Sequence, residues 1–197
     1  MVQHRTYAVL NIAGLAVGMM SSILILLWIQ HEVSYDRFHT NANQIYRLVA
    51  NVMDFKAAVT PAGMTEDLQA EIPAITATCR LSRPFTVLLE VEDQWFEEDQ
   101  VLFADSNFLD MFSFPLLQGN AKTALLHPDG VVITTAIARK YFGHQEALGE
   151  VLAIDNRGIF TVTGILADIP VNSHLQFTLL LPMVKAAQTE RDLIDKS

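Results

Sequence analysis

Cysteine is nearly missing from this sequence of 197 residues, in which Cys79 is the only one. A single cysteine cannot form a disulfide within the chain, so the fold depends on its apolar core. The sequence around Cys79 indicates a strand, where an inert buried thiol is more common than a nucleophile. The length suits one domain, or one domain with an appendage.

Motifs for nucleotide hydrolysis, metal binding and acyl transfer are also missing. The nine glycines are scattered, and no G-x-x-x-x-G-K-[ST] sequence is present to cradle a phosphate. The six histidines are never four residues apart and never join a cysteine or carboxylate at zinc spacing. No serine lies in a G-x-S-x-G sequence. We therefore expect no cofactor, no metal site and no enzymatic activity in this chain.

Basic residues are scarce, with 13 Lys and Arg against 22 Asp and Glu, and the formal net charge is −9. All acidic residues, and all basic residues except Arg5, follow Gln30. The chain after Gln30 is therefore strongly acidic, which argues against nucleic acid or anionic lipid as its partner.

The acidic residues include one dense cluster around the dipeptide Trp95-Phe96. A calcium site or an acid/base pair would need such carboxylates, but no glycine-bearing calcium loop accompanies them. We interpret the cluster as a solvated hairpin, formed by Glu90, Glu92, Asp93, Glu97, Glu98 and Asp99.

Only one long hydrophobic run is present, the uncharged stretch from Thr6 to Gln30. The hydrocarbon core of a bilayer requires about 20 apolar residues of helix, so this run is long enough to span it. A cleaved signal peptide would have a shorter apolar region, about 7–15 residues, followed by a small-residue cleavage site. Here the most hydrophobic part, Ile23 to Ile29, comes last, so we predict a retained transmembrane helix.

The charges beside this helix indicate its orientation. Arg5 precedes the helix, whereas Glu32 and Asp36 follow it. The positive-inside rule then places the N-terminus in the cytoplasm and residues 32–197 on the opposite side of the membrane. Trp28, near the outer end, fits an interfacial aromatic anchor.

Gly14 and Gly18 form a G-x-x-x-G pair within the helix. Small residues four apart let another helix approach closely in lipid, although glycines are also common in membrane helices without such a contact. We favour helix–helix packing because Ala8, Asn11 and Ser22 widen the small, polar stripe.

The rest of the sequence alternates short strands with short helices and lacks the regular spacing of a doubly wound sheet. The predicted class is α+β, a mixed sheet with short helices preceded by one N-terminal transmembrane helix. Apolar and β-branched runs predict strands at 45–53, 76–82, 85–91, 101–104, 131–133, 151–154, 159–166 and 175–181, with a return strand that begins at Trp95-Phe96. Capping residues predict helices from Thr60-Pro61, with Met64, Leu68 and Ile72 buried, after Asp105-Ser106-Asn107, and at 136–142 before Gly143.

Several segments, taken together, carry a family resemblance. Its short motifs are Tyr35-Asp36-Arg37-Phe38, Tyr141-Phe142-Gly143 and Asn172-Ser173-His174. The segment NIAGLAVGMMSSILILLWIQHEVSYDRFHTNANQIYRL resembles the first helix and its exit in the MacB/FtsX-like permeases of ABC transporters, most of all those frequent in Bacteroidetes-type bacteria. The MacB-like periplasmic core domain is similar, in order and spacing, to FADSNFLDMFSFPLLQGNAKTAL, VVITTAIARKYFG, LGEVLAI and FTVTGILADIPVNSHLQF, so the resemblance covers residues 7–182.

The resemblance implies a function that composition and periodicity do not. It implies the N-terminal portion of a permease that forms a homodimer or heterodimer and is driven by a separate or fused cytoplasmic ABC ATPase. The periplasmic domain would transmit ATPase-driven motion, for export or mechanotransmission, and could contact a periplasmic partner protein.

Family permeases continue into further membrane helices, whereas this sequence ends in a polar tail, so we expect a fragment or a truncated product. The expected parts are a cytoplasmic stub at 1–5, the transmembrane helix at 6–30, a connecting segment at 31–45, the MacB-like periplasmic core domain at 46–185 and the tail at 186–197.

We expect structural rather than catalytic roles for the motif residues. Tyr35, Phe38 and Tyr46 should pack the base of the domain against the helix exit. Arg37 should pair with Asp36 or with a neighbouring carboxylate.

Asn172 and His174 should hydrogen-bond a turn after Pro170.

The alternative to a permease is a membrane-anchored extracytoplasmic sensor or ligand-binding domain, which should bind a small ligand while monomeric. An anchored hydrolase is the third alternative, and it lacks a nucleophile or metal constellation in the sequence.

Overall fold

The computed structural model of the chain describes residues 2–52, 55–57, 60, 63–91, 94–143, 146–155 and 157–186, with side chains except at 2–6, 51–52, 55–57 and 66. It divides into two compact units. The first unit consists of Met1–Arg37 with Asn172–His174, and the second of Phe38–Val171 with Leu175–Ser197.

The first unit is built on one long helix, α1, which spans Val2–Val33 and includes the whole predicted run. Its part Tyr7–Val33 is long and apolar enough to cross a membrane. The apolar side chains of this part are exposed on all sides, as expected for a helix that lipid surrounds. The hydroxyls of Ser21 and Ser22 donate to backbone carbonyls one turn earlier, both at 2.9 Å, so they need no water.

The second unit combines a large mixed sheet, a small hairpin and three short helices, with a 3₁₀ turn at Ala42–Gln44. In chain order, its elements are β1 Ala50–Val52, β2 Phe55–Ala57, α2 Met64–Glu71, β3 Phe85–Val91, β4 Gln94–Ala104, α3 Phe108–Met111, β5 Leu116–Gly119, β6 Gly130–Thr134, α4 Thr135–Phe142, β7 Val151–Ile154, β8 Gly158–Leu166 and β9 Leu179–Pro182.

The large sheet has seven strands in the order β5-β8-β6-β9-β4-β3-β7. Strand β7 also pairs with β8, so all strands except β5 close into a ring. The pairs β4–β9 and β6–β8 are parallel, and the other pairs are antiparallel. Closure leaves few unpaired edges for association with other strands.

The strands at the centre of this sheet are buried on both faces. Val101, Ile133 and Leu179 belong to one apolar cluster, and the next residues of two of these strands, Leu102 and Leu180, belong to a second cluster. Every residue of β6 and β9 is buried. This double burial explains why these strands are continuous apolar runs rather than alternating patterns.

The predicted α+β class is confirmed, and so are several elements. Strands β3 and β7 have the predicted bounds, and α4 begins one residue before the predicted start. Gly143 ends α4 with φ 66, a left-handed conformation that glycine adopts at little cost. Asp168 caps this helix, because its Oδ1 accepts the Ala136 N–H at 2.7 Å, whereas the side chain of the N-cap residue Thr134 makes no capping hydrogen bond.

Five strand predictions were wrong in extent. The strand predicted at 45–53 is described only at 50–52, and 76–82 contributes a single bridge, Leu81 to Ala104. The return strand predicted to begin at Trp95-Phe96 and the strand predicted at 101–104 are one strand, β4, and the last strand begins at Leu179 rather than Leu175. Strand propensity is realised only where a neighbouring strand supplies hydrogen bonds, which sequence composition does not specify.

The predicted buried face of α2 was also wrong. Met64 and Ile72 are 38% and 42% exposed, and of the three predicted residues only Leu68 is partly buried. Gly63 occupies the N-cap position, and Pro61 lies outside the described residues. The turn residues Glu92 and Asp93 likewise lie outside them.

Candidate functional site

The exit of α1 is a tight turn that begins at Ser34. The N–H and the hydroxyl of Ser34 donate to the His31 carbonyl oxygen at 3.1 and 2.7 Å. Asp36 has φ 54, and among the described residues it is the only one other than glycine with a positive φ. Aspartate tolerates this conformation better than most residues, so its presence favours the turn here.

A distant tripeptide of the same unit hydrogen-bonds this turn. Asn172 Nδ2 donates to the Ser34 carbonyl oxygen at 3.1 Å and to Ser34 Oγ at 3.3 Å. In the opposite direction, the Asp36 N–H donates to the Asn172 carbonyl oxygen at 3.0 Å. We name this set of residues the helix-exit clasp, which comprises Ser34, Tyr35, Asp36, Asn172, Ser173 and His174.

The carboxylate of Asp36 is the main acceptor in the clasp. Its Oδ1 accepts the His174 backbone N–H at 3.0 Å, and its Oδ2 lies 2.6 Å from His174 Nδ1. Ser173, which is only 3% exposed, also donates a hydrogen bond to it. Partial burial acts to raise the pKa of Asp36, but these hydrogen bonds outweigh it and lower the pKa below its ordinary value of 3.8. The clasp is therefore assembled around an ionised carboxylate at neutral pH.

Acid should weaken the clasp, because the pKa of Asp36 is lower in the folded chain than in the unfolded chain. The ionised carboxylate stabilises the folded state fully at pH values above 3.8, the pKa of Asp36 in the unfolded chain. This stabilisation is lost as the pH falls through the lower pKa of the folded chain. We expect protection of the His174 amide from hydrogen exchange, corrected for the intrinsic rate, to be constant from about pH 7 to 5 and to fall below about 4. In Asp36→Asn this fall should be absent, and the same fall in that variant would assign the effect to another group.

An aromatic contact reinforces these hydrogen bonds. The Tyr35 ring packs against the His174 ring at 4.8 Å between centroids and meets the His31 ring edge-on at 5.4 Å. Tyr35 thus bridges the end of α1 and the distant tripeptide within the first unit.

The structure brings together two of the three motifs that carry the family resemblance, although 138 residues separate Ser34 from Asn172. The expected partners were wrong, because Asn172 bonds Ser34 and His174 bonds Asp36 rather than a turn after Pro170. The carbonyl of Pro170 instead accepts from Gln176 Nε2 at 2.9 Å. Asp36 pairs with His174 rather than with its neighbour Arg37.

Phe38 and Tyr46 have different environments in the second unit. Phe38 packs against the rings of His39 and Phe114, at 4.1 and 5.5 Å between centroids. Tyr46 is 87% exposed, so the expectation that it packs into the base of the domain was wrong. The residues around it, 45–49, belong to no regular element and therefore offer little packing.

The motif Tyr141-Phe142-Gly143 lies at the end of α4. The Tyr141 hydroxyl and Lys140 Nζ both donate to Glu98 Oε1, and the Tyr141 ring packs on Phe96 at 4.7 Å. Burial, together with the bond to Glu98, raises the pKa of Tyr141 to about 12. Phe142 packs against the apolar cluster, and Gly143 ends the helix, so this motif docks α4 on the sheet.

This contact corrects the interpretation of the acidic cluster as wholly solvated. Glu98 is 6% exposed, whereas its neighbours Glu97 and Asp99 on β4 are exposed. The alternation of a strand places Glu98 on the inward side, where Lys140 and Tyr141 supply the hydrogen bonds that a buried carboxylate requires.

Gly14 and Gly18 lie on one side of α1 in a shallow groove, which Gly14, Leu15, Gly18, Met19, Ser22 and Ile23 line. A Cβ added at either glycine would meet nothing within 4 Å, so the space beside them is open. An open groove that contains Gly14, Gly18 and Ser22 is compatible with close approach of another helix.

Sequence reasoning missed a second hydrogen-bonded pair, next to the Tyr35-Asp36-Arg37-Phe38 motif. His39, 6% exposed, accepts the Ser113 N–H on Nδ1 at 3.1 Å, and Ser113 Oγ accepts the Thr40 N–H at 3.0 Å. The only signal was a histidine directly after the motif, because nothing local indicates a partner so distant in sequence.

The described part of the chain offers no group of three or more His, Cys, Asp or Glu that could hold a metal ion. Cys79 lies outside the strands, contrary to prediction, and is half-buried. Burial, with a smaller effect from Asp105, raises the pKa of its thiol to about 12, so it stays protonated and unreactive near neutral pH.

Comparison with known proteins gives one family match. Residues 8–196 match the family described as the MacB-like periplasmic core domain. Among curated proteins, none matches the sequence significantly.

Several solved structures are similar to this chain. A domain of a protein from Porphyromonas gingivalis, described as a permease, shares 31% identity with a TM-score of 0.55, over 62% of this chain and 57% of that one. The periplasmic region of MacB from Actinobacillus actinomycetemcomitans shares 18% identity with a TM-score of 0.42, over 56% of this chain and 48% of that one. The extracellular domain of the noncanonic ABC-type transporter YknZ from Gram-positive bacteria shares 17% identity with a TM-score of 0.46, over 66% of this chain and 68% of that one. The chain thus spans about half the length of the first two.

Proposed function

The chain belongs to the family of the MacB-like periplasmic core domain, and on this basis we propose that it is the N-terminal portion of the permease subunit of an ABC transporter of the MacB/FtsX type. In this proposal α1 anchors the chain in the inner membrane, with the N-terminus in the cytoplasm and residues 32–197 in the periplasm. An ABC ATPase, separate or fused, hydrolyses ATP in the cytoplasm, and the periplasmic domain transmits the resulting motion for export or mechanotransmission.

The observation that supports transmission is the helix-exit clasp. Its tripeptide Asn172–His174 is hydrogen-bonded to the end of α1, whereas the flanking residues Val171 and Leu175 belong to the second unit. The chain therefore passes between the units after Arg37 and again on both sides of the tripeptide. A displacement of the end of α1 would act on the second unit through all three crossings, and not through one flexible linker.

The chemistry of the clasp suits this role. A single covalent connection would allow rotation about its backbone bonds. In the clasp, Asp36 also accepts hydrogen bonds from both the backbone and the ring of His174, which restrict such rotation. The ionised carboxylate makes these bonds stronger than bonds between neutral groups. We infer that Tyr35, Asp36, Asn172 and His174 are positioning residues for transmission and have no catalytic role.

The experiment uses the complete permease with its ATPase in nanodiscs. Cys79 is replaced by Ser, and a spin label is attached at Tyr46→Cys, because Tyr46 is 87% exposed. Distances between the labels of two permease copies are measured by pulsed electron resonance, without nucleotide and with ATP and vanadate. We expect ATP and vanadate to shift these distances, and we expect Asp36→Ala to abolish the shift while ATP hydrolysis changes less than about twofold.

Two matched variants make this test specific. Asp36→Asn can still accept the His174 N–H and donate to Nδ1, so it should retain most of the shift. Asp110→Ala, which removes an exposed carboxylate of α3, should behave as the unmodified protein. An unchanged shift in Asp36→Ala would refute transmission through the clasp. A permease that purifies as a monomer without an ATPase and binds a small ligand would refute the transporter function itself.

Dimerisation of the permease through α1 is part of the same proposal. Replacing Gly14 by Leu would fill the groove beside Gly18 and keep a second helix away, so association should weaken roughly tenfold. Energy transfer between donor- and acceptor-labelled chains, diluted stepwise into phosphatidylcholine bilayers, measures this change. Ala16→Leu adds the same side chain on another side of the helix and should leave the association unchanged. Equal weakening by both variants would contradict a contact at Gly14.

A further inference from the structure

The outer face of β4, β3, β7 and β8 carries several exposed apolar side chains. In the strand register, Trp95 lies opposite Glu90, Glu90 opposite Ala153, and Ala153 opposite Ile159. These residues therefore form a row that crosses all four strands. We name the apolar residues of this face the outer strip, which comprises Leu88, Trp95, Val151, Ala153 and Ile159.

The residues of the outer strip lie on the face of the strands opposite to the core. Ile159 is 65% exposed and Trp95 55%, whereas the next residue of β8, Phe160, is fully buried. The two faces of these strands thus alternate cleanly, and apolar residues occur on both. A face that only meets water would carry polar residues at these positions, and contiguous exposed apolar patches mark interaction sites.

Carboxylates flank the outer strip, and the strands themselves contain no positive charge. Glu90 lies within the row, Glu97 lies opposite Leu88, and Asp99 is exposed further along β4. Asp155 follows β7, and its N–H donates to the Leu88 carbonyl oxygen at 2.9 Å. The sequences of β3, β4, β7 and β8 include no Lys or Arg.

Two cations on elements adjoining these strands are engaged elsewhere. The Arg157 guanidinium, in the turn between β7 and β8, lies over the rings of Phe85 and Phe103 at 4.7 and 5.1 Å. Lys140 bonds the inward-facing Glu98. Among the described residues, Glu90, Glu97 and Asp99 form no ion pair, so their negative charge is available to a basic partner.

We propose that the outer strip binds a protein segment whose apolar side chains are flanked by Lys or Arg. Leu88, Trp95, Val151 and Ile159 would bury the apolar side chains, and Glu90, Glu97 and Asp99 would pair with the basic ones. Trp95 is the expected anchor, since a large aromatic side chain contributes most where it becomes buried. The inference goes beyond the proposed function, because it concerns a surface of the second unit and does not depend on transport.

The same charges disfavour two other occupants. A second copy of the chain, related by a two-fold axis, would place Glu90 and Glu97 against the same carboxylates of its partner. Anionic lipid headgroups would be repelled for the same reason. A basic, apolar protein segment is the occupant that satisfies both the apolar and the acidic residues of this face.

The test uses the full chain in phosphatidylcholine nanodiscs as the analyte, with empty nanodiscs as the reference. Four synthetic peptides of equal length and the same sequence pattern are immobilised. Each contains one pair of residue types: Lys with Leu, Glu with Leu, Lys with Ser, or Ser with Leu. We expect the Lys/Leu peptide to bind and the other three to bind at least about tenfold more weakly. Raising the salt concentration from about 50 to 300 mM should weaken the binding.

Surface variants locate the binding on the outer strip. Trp95→Ser with Ile159→Ser should lower affinity for the Lys/Leu peptide at least about tenfold, while Val171→Ser, at a residue 84% exposed outside the strip, should not. Glu90→Lys with Glu97→Lys should reverse the preference toward the Glu/Leu peptide. Because all five residues lie on the surface, thermal unfolding of each variant should match that of the unmodified chain.

Three outcomes would overturn the inference. The first is equal binding of the Glu/Leu and Lys/Leu peptides, and the second is Lys/Leu binding that survives both the serine and the lysine substitutions. The third is a disulfide between two copies through Ile159→Cys, with Cys79 replaced by Ser, which would assign the outer strip to a second copy of this chain. None of them bears on the membrane helix or on its clasp, so the proposed function would stand.

Discussion

Phe160→Ala should destabilise the second unit by about 3–5 kcal/mol, the usual cost of removing a buried phenylalanine. Phe160 is fully buried in the middle of β8, where it belongs to the apolar cluster inside the strand ring. Its ring also faces the Lys185 ammonium, with Nζ 5.3 Å from the ring centroid. The substitution would leave a cavity that the paired strands on both sides of β8 cannot close.

Urea unfolding of the full chain in detergent, followed by far-ultraviolet circular dichroism, measures this loss. Ile159→Ala, at the preceding residue of the same strand but 65% exposed, should change the free energy of unfolding by no more than about 0.5 kcal/mol. Equal losses in the two variants would show that the alternation of β8 is not as described.

Gly119→Ala should cost about 3 kcal/mol or more, from backbone strain and a steric clash together. Gly119 ends β5 with φ 97, a conformation that residues with a Cβ rarely adopt. An added Cβ would lie 2.4 Å from the carbonyl oxygen of Thr163 and 2.9 Å from Cα of Gly164, both backbone atoms of the neighbouring strand. Neither atom can move away without breaking the pairing of β5 with β8.

The same unfolding experiment checks this prediction against a glycine in open space. Gly63→Ala, at the N-cap of α2, adds a Cβ that meets nothing within 4 Å and needs no positive φ. It should change the free energy of unfolding by no more than about 1 kcal/mol, the scale of a glycine-to-alanine change at an exposed N-cap. A Gly119→Ala variant as stable as Gly63→Ala would contradict the close approach of β5 and β8.

Elements that depend on local patterns were predictable from the sequence. The strand at Phe85–Val91 follows from its apolar run, and the end of α4 follows from Gly143, whose left-handed conformation is a local property. The apolar length of α1 likewise identifies a membrane-compatible helix without any knowledge of its neighbours.

Features that depend on distant partners were not predictable in this way. Glu98 was assigned to a solvated hairpin because its burial depends on Lys140 and Tyr141, which follow it by 42 and 43 residues. The resemblance identified Tyr35-Asp36-Arg37-Phe38 and Asn172-Ser173-His174 separately, but their contact in the clasp depends on the folded chain. Local sequence reports propensity, and burial is decided by the tertiary neighbours.

Membrane topology is the central claim of this account, and cysteine labelling in intact spheroplasts tests it most directly. The chain carries Tyr46→Cys with Cys79 replaced by Ser, because Tyr46 is 87% exposed in the second unit. A membrane-impermeant maleimide should modify this cysteine before lysis, while a cytoplasmic host protein stays unlabelled. Modification only after the inner membrane is permeabilised would place the second unit in the cytoplasm and contradict the account.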